Sequence, residues 1–260
     1  MRGRFAFPLN IQLPKMELDS AEFEEILGLL QKEGFSGVEL NLGRFDDPDG
    51  LRKRLAKHGL KLSMVASGAY AKANGLSLSS VEEDVRKKAV AAVQTMRAFA
   101  AALDAGVICG FIKGAANEDY DAAAGQMRKS LAEIAGDGAP VYLEATNHYE
   151  ATLVNTVEEG AGFTAGLAGL CVLPDTYHMH MEECDVAAAM VKHSGLYQNL
   201  HLSDNTRYFP GFGAIDFRAV YRLLDAMGYE GVTALEGRAR SLKDDIVASA
   251  AYLAHCTRGI

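Results

Sequence analysis

VYLEATNHYEATLVNTVEEGAGFTAGLAGLCVLPD, residues 141–175, holds one complete strand–helix unit and the strand that opens the next. Val141–Leu143 is a short apolar run that stops at Glu144. Asn155–Leu167 reads as a helix, weakened by its glycines. Leu170–Leu173 is a second apolar run, leading through Pro174 to Asp175. The two acidic residues stand 31 positions apart, about the length of a parallel strand with its crossover helix.

The same alternation extends in both directions. Upstream, a short apolar opening at Arg4–Pro8 precedes Asp19-Ser20, which can cap a helix whose Phe23, Ile26, Leu27 and Leu30 recur at helical spacing. Gly34 ends that helix, and Gly37-Val38-Glu39-Leu40 reads as a strand. Residues 48–58 are helical and close on His58-Gly59. Leu60–Val65 is a strand, Val81–Leu103 a long helix stopped by Gly106, and Val107–Ile112 a strand before the helix Tyr120–Ile134. Downstream, Leu196–Leu202 and Gly231–Leu235 are strand-like, with helices near 183–193, 216–227 and 241–256.

About eight such units of roughly 30 residues point to a parallel sheet covered on both faces, either open or closed into a barrel. Eight units in 260 residues favour a single-domain α/β protein, the (β/α)₈ or TIM barrel. No GxGxxG or GxxxxGK[ST] loop follows any strand, which removes the strongest argument for an open nucleotide-binding sheet. No linker or change of composition marks a second domain.

Composition narrows the function classes. Hydrophobic residues make up 49% and charged residues 23%, the balance of an ordinary globular chain. No apolar run approaches the ~20 residues of a membrane span, so no membrane association is expected. MRGRFAFPLN is basic and briefly apolar, but Pro8, Asn10 and Gln12 interrupt it before a leader core forms; a cytoplasmic location is expected. The net charge of −8, without a basic stripe, argues against nucleic-acid binding. Cys109, Cys171, Cys184 and Cys256 lack zinc-like spacing and read as small buried or incidental thiols.

Barrel chemistry gathers where strands end. Glu144, Asp175, His201 and Glu236 each close a strand-like run, at intervals of 31, 26 and 35 residues. Four successive strands would therefore aim one side chain apiece at a common point. Three converging carboxylates repel one another unless a cation joins them, so the expected cofactor is one divalent metal ion. An oxygen and imidazole shell without thiolate suits Mn²⁺, Co²⁺ or Mg²⁺ ahead of Zn²⁺ or Fe²⁺.

The runs LEATNHYEATLVNT (143–156), LPDTYHMHMEE (173–183), LHLSDNTRYFPGFGAIDF (200–217) and ALEGR (234–238), with GLSLSSVEEDVRKKAV (75–90), resemble the xylose-isomerase-like sugar isomerase/epimerase superfamily. Within it they are most similar to the ketose 3-epimerases. The resemblance implies that Glu144, Asp175, His201 and Glu236 bind the metal and that Glu144 and Glu236 are the catalytic acid/base pair. It also implies that Glu150, His178 and Arg207 contact a small sugar substrate, free or phosphorylated, and it leaves a homodimer or homotetramer open.

Second readings stand beside these. His178 could orient a metal ligand, Glu150 could pair with a cation, and Arg207 could be a structural loop residue. His148 and His180, where the family often has a larger basic residue and an asparagine, would lie near the substrate mouth, with His180 solvated or packed in its loop rather than a second metal ligand. Lys113 could meet a phosphate or simply be solvated. Aldose–ketose or hydroxypyruvate-type isomerases and inosose dehydratase-like lyases share the scaffold. A repair endonuclease would need more strand-end histidines and a basic groove, and a sugar-binding protein would leave the charged shell without purpose.

Overall fold

A computed structural model describes residues 4–260. Eight parallel strands, β1 (Leu9–Leu13), β2 (Gly37–Leu40), β3 (Lys61–Ala66), β4 (Gly106–Cys109), β5 (Val141–Glu144), β6 (Leu170–Leu173), β7 (Asn199–Leu202) and β8 (Val232–Leu235), form one sheet. Its order is β6-β5-β4-β3-β2-β1-β8-β7, so the sheet curls until β6 and β7 face each other. Between them the described residues form no ladder. A lone bridge joins Asp175 to His201, where the His201 N–H donates to the Pro174 carbonyl at 3.0 Å. Just beyond, Thr176 Oγ1 accepts from the Ser203 N–H at 2.9 Å and donates to the Ser203 carbonyl at 2.7 Å. The result is a nearly closed barrel with a thin seam.

Among the described residues ten α-helices accompany the sheet: α1 (Ala21–Glu33), α2 (Pro48–Ala56), α3 (Gly68–Asn74), α4 (Glu83–Ala101), α5 (Tyr120–Ile134), α6 (Val157–Thr164), α7 (Thr176–Glu182), α8 (Val186–Lys192), α9 (Phe217–Ala226) and α10 (Leu242–Cys256). Helix α1 shows how local chemistry sets them. Ser20 Oγ accepts from the Phe23 N–H, Gly34 takes the left-handed C-cap, and Phe23, Ile26, Leu27 and Leu30 are fully buried. Burying each such side chain contributes about 1.5–3 kcal/mol. No helix among the described residues is long and apolar enough to cross a membrane.

The first strand lies later than the apolar opening suggests. Arg4–Pro8 stays outside the sheet, and β1 alternates buried Leu9, Ile11 and Leu13 with Asn10 and Gln12, which face the bore. The expected strand at 107–112 ends at Cys109, because Gly110 (φ −90°, ψ −96°) turns the chain into a 3₁₀ turn at Phe111–Lys113. Helices α3 and α7 sit inside loops where no helix was expected.

The bore itself is divided. Met64, Ala66, Ile108, Tyr142 and Leu173 form an apolar cluster inside it. Asn10, Gln12, Glu39, Asn199 and His201, from β1, β2 and β7, make its other side polar.

Candidate active site

Side chains alternate along a strand, so Glu144 faces the bore with Tyr142, Asp175 with Leu173, and His201 with Asn199. The parity brings Glu144, Asp175, His201 and Glu236 together at the C-terminal rim. One ligating atom from each lies within 4.8 Å of the others. His201 Nδ1 is 2.9 Å from Glu236 Oε2, 3.7 Å from Glu144 Oε1 and 4.0 Å from Asp175 Oδ2.

Arg207 reaches in from the loop after β7. Its Nη1 meets Asp175 Oδ2 at 2.7 Å, its Nη2 meets Glu236 Oε1 at 2.9 Å, and its guanidinium lies over the Tyr177 ring. Burial raises the Asp175 carboxyl above its ordinary range, an effect Arg207 only partly offsets. Burial acts the same way on Glu236, but there Arg207 and His201 outweigh it and hold the carboxyl below its usual value. Burial would lower the His201 imidazole, yet Glu39 and Glu236 hold it well above the ordinary histidine value. Four carboxylates, Glu39 included, thus share one guanidinium and one imidazole.

Among the described residues seven buried side-chain atoms lack any hydrogen-bond partner, and two of them, Glu144 Oε1 and His178 Nε2, belong to this site. They stand 4.0 Å apart, too far for a bond between them. An unpaired buried carboxylate oxygen is costly. That orphan oxygen, the excess of carboxylates and the thiolate-free donor set all fit a divalent ion held by Glu144, Asp175, His201 and Glu236.

Space for Glu144 comes from Gly110, where a Cβ would lie 2.1 Å from Glu144 Oε2. Gly110→Ala is therefore expected to displace the carboxylate and weaken divalent-ion binding by at least ~10-fold, the low end for disturbing a ligand's surroundings. Titration of the folded variant with Mn²⁺ measures it, and wild-type affinity would remove Gly110 from this role. Gly237, at φ 145°, similarly leaves room for the Arg207 carbonyl, 2.8 Å from where a Cβ would stand.

The remaining expected residues lie around the same chamber. A pocket of about 120 Å³ is lined by Glu144, Glu150, His178, Arg207 and Glu236 together with Ser67 and Gly110. It adjoins a larger chamber of about 660 Å³ that shares Gln12, Asn41, Glu150, Arg207 and Glu236 and extends to Arg238 and Leu242. Glu150 stands exposed at the mouth, accepting from Asn147 Nδ2 at 3.2 Å. His178 Nδ1 accepts from the Asn147 backbone N–H at 3.1 Å. The neutral ring therefore carries its proton on Nε2, and burial depresses its pKa to about 3.

Two expectations are corrected. Lys113 is neither solvated nor placed for a phosphate, because the 3₁₀ turn folds it fully inside. Its Nζ donates to the Glu144 carbonyl at 2.7 Å and to Thr146 Oγ1, and burial lowers its pKa to about 8. His180 is exposed as expected but is not at the substrate mouth, since α7 turns it toward an apolar groove with Met190 and Ile215. His148 is tied to Glu182, whose Oε1 lies 2.6 Å from its Nδ1.

Two contributors escaped the sequence reading. Asp204 takes four backbone N–H groups, from Asn205, Gly211, Gly213 and Ile215, at 2.9–3.0 Å. It thereby folds the PGFGAID loop that presents Arg207, itself in the left-handed region at φ 60°. Glu39 lies fully buried beneath His201. The strand position of Glu39, a lone carboxylate among apolar residues, was the signal for it.

Arg207→Ala should raise KM or lower kcat while divalent-ion content, measured by elemental analysis, stays intact. An unchanged kcat/KM would return Arg207 to a loop-bracing role.

The family description "Xylose isomerase-like TIM barrel" matches residues 27–256, and the chain belongs to that family. The L-ribulose 3-epimerase of Mesorhizobium japonicum is 28% identical over 237 residues, covering 86% of this chain and 78% of that protein. The 3-dehydro-D-guloside 4-epimerase of Escherichia coli is 36% identical over 106 residues, 40% of each chain. Among solved structures, D-psicose 3-epimerase from Clostridium cellulolyticum H10 with D-tagatose superposes with a TM-score of 0.80 at 21% identity, covering 96% of this chain and 99% of that one. These relatives are epimerases, and the chain is an enzyme of the isomerase class.

Proposed function

We propose that the protein is a divalent-metal-dependent epimerase of keto sugars that removes and returns a proton on the carbon beside a carbonyl, C3 of a ketose. The observation that carries this reading is the convergence of Glu144 and Glu236 from β5 and β8, with Asp175 and His201 between them. The ketose 3-epimerases among its relatives support it.

A divalent ion held by the four residues, Mn²⁺ first and Co²⁺ or Mg²⁺ next, supplies Lewis acidity toward the substrate's oxygens. The chain's own residues do the rest. Because β5 and β8 stand three strands apart around the rim, Glu144 and Glu236 approach a bound sugar from different sides. Inversion at a carbon needs a base on one face and an acid on the other, and each glutamate can serve as either. Arg207 favours the ionised form of Glu236, partly offsets the burial of Asp175, and presents planar donors to developing negative charge. His178, locked with its proton on Nε2, offers a neutral donor into the chamber, and Glu150 accepts from sugar hydroxyls at the mouth.

A second reading, 4-epimerisation of a keto-glycoside, draws on the E. coli relative and on the 660 Å³ chamber. That volume lies within the range of sites for ligands of drug size. Proton NMR in D₂O with ion-loaded enzyme separates the readings. Free ketoses, ketose phosphates and 3-keto-glycosides are offered in turn. Solvent deuterium at C3 of a ketose, with its epimer accumulating, is the expected result. Exchange confined to C4 of a keto-glycoside would favour the second reading, transfer between C1 and C2 an aldose–ketose isomerase, and loss of water a lyase. Absence of exchange in every compound would overturn the epimerase reading.

A further inference from the structure

Glu39 is completely enclosed in the barrel, yet it is a carboxylate with its own set of donors. His201 Nε2 lies 2.9 Å from its Oε2, Asn199 Nδ2 donates to its Oε1 at 2.6 Å, and Gln12 Nε2 reaches Oε2 at 3.5 Å. A buried carboxyl group with this retinue is not a packing accident, because such a group is costly to take out of water unless its oxygens are hydrogen-bonded. The backbone is also shaped around it. Pairing of β2 with β3 slips by one residue between Val38 and Glu39, leaving Ser63 over, and its Oγ donates to the Val38 carbonyl at 3.1 Å. Bulges of this kind re-aim side chains beside functional sites.

We propose that Glu39 is a positioning residue of the metal centre, fixing the tautomer and ring plane of His201. The inference rests on the metal-centre reading above. His201 turns Nδ1 toward Glu144, Asp175 and Glu236, so a metal must be met by the Nδ1 lone pair and the ring proton must reside on Nε2. Glu39 is the acceptor that holds it there. A carboxylate behind a ligating imidazole also makes the ring a stronger donor. Asn199 and Gln12 keep Glu39 from turning away, which spreads the support of one ligand over β1, β2 and β7.

The test is a titration of the purified protein with Mn²⁺ alone, read by the electron paramagnetic resonance signal of the free ion. Glu39→Gln is expected to weaken binding by ~10–100-fold with an unchanged circular dichroism spectrum, and Glu39→Asp, which restores the charge, to recover part of that loss. If Glu39→Gln does not fold, Glu39→Asp carries the test, with an affinity below wild type expected from its shorter reach. In the Mg²⁺-loaded protein, the Nε2 proton of His201 should give a strongly downfield NMR resonance that Glu39→Gln shifts or abolishes. A wild-type protein that takes up no Mn²⁺ overturns the metal-centre reading itself. A wild type that binds, beside folded variants that bind equally well, overturns the role of Glu39 alone.

Discussion

Protein stripped with a chelator is expected to lose epimerising activity and to regain it with Mn²⁺, Co²⁺ or Mg²⁺. The fall should be at least ~10²–10³-fold, the cost of deleting a single preorganised electrostatic group from an active site. The reason is visible in the charge balance. Glu144 Oε1 has no hydrogen-bond partner, burial raises the Asp175 carboxyl above its ordinary range, and Arg207 and His201 are shared between Asp175, Glu236 and Glu39. Stability should follow: an ion present at about 100 times its Kd adds ~2.7 kcal/mol to the folded state, which appears as a rise in Tm. Stripped protein with full activity and an unmoved Tm would contradict the four-residue centre.

Glu144→Gln and Glu236→Gln should each lower interconversion by at least ~10²-fold, the lower end for losing a general acid–base group. Both residues sit at strand ends rather than in the packed layers, so the barrel should still fold. Exchange experiments in D₂O then separate the two faces. One variant is expected to wash solvent deuterium into a single epimer without making the other, because the surviving glutamate still reaches its own side. Metal content has to be measured on the same samples, since either change removes a ligand. Variants that hold metal and epimerise at the wild-type rate would rule out the two-carboxylate mechanism.

Much of this was legible in the sequence because each unit of the barrel is local. Helix α1 shows its cap, its apolar stripe and its terminal glycine in consecutive residues, and the carboxylates at strand ends recur at unit spacing. The first strand was harder to see. Asn10 and Gln12 face a polar half of the bore, so β1 lacks the uniformly apolar look of a strand buried on both sides. Helices α3 and α7 are seven residues each, too short for a periodic stripe to declare itself. Lys113 was misread because nothing local says that Gly110 will bend the chain beneath β5. Glu39 and Asp204 act on residues 162 and up to 11 positions away, and the first of these distances carries no signal in one sequence.

A cask leaks first where its staves are least pinned. The staves here are β6 and β7, which share one bridge, and Pro174 has no N–H with which to strengthen it. Asp175 and His201 stand one on each stave, so an ion gripping both acts as a clasp across the joint. Closing of the wall and filling of the centre would then be one equilibrium, felt at the backbone. Hydrogen–deuterium exchange at the amides of His201 and Ser203 should slow when Mg²⁺ is added, while amides between β2 and β3, on the far wall, keep their rates.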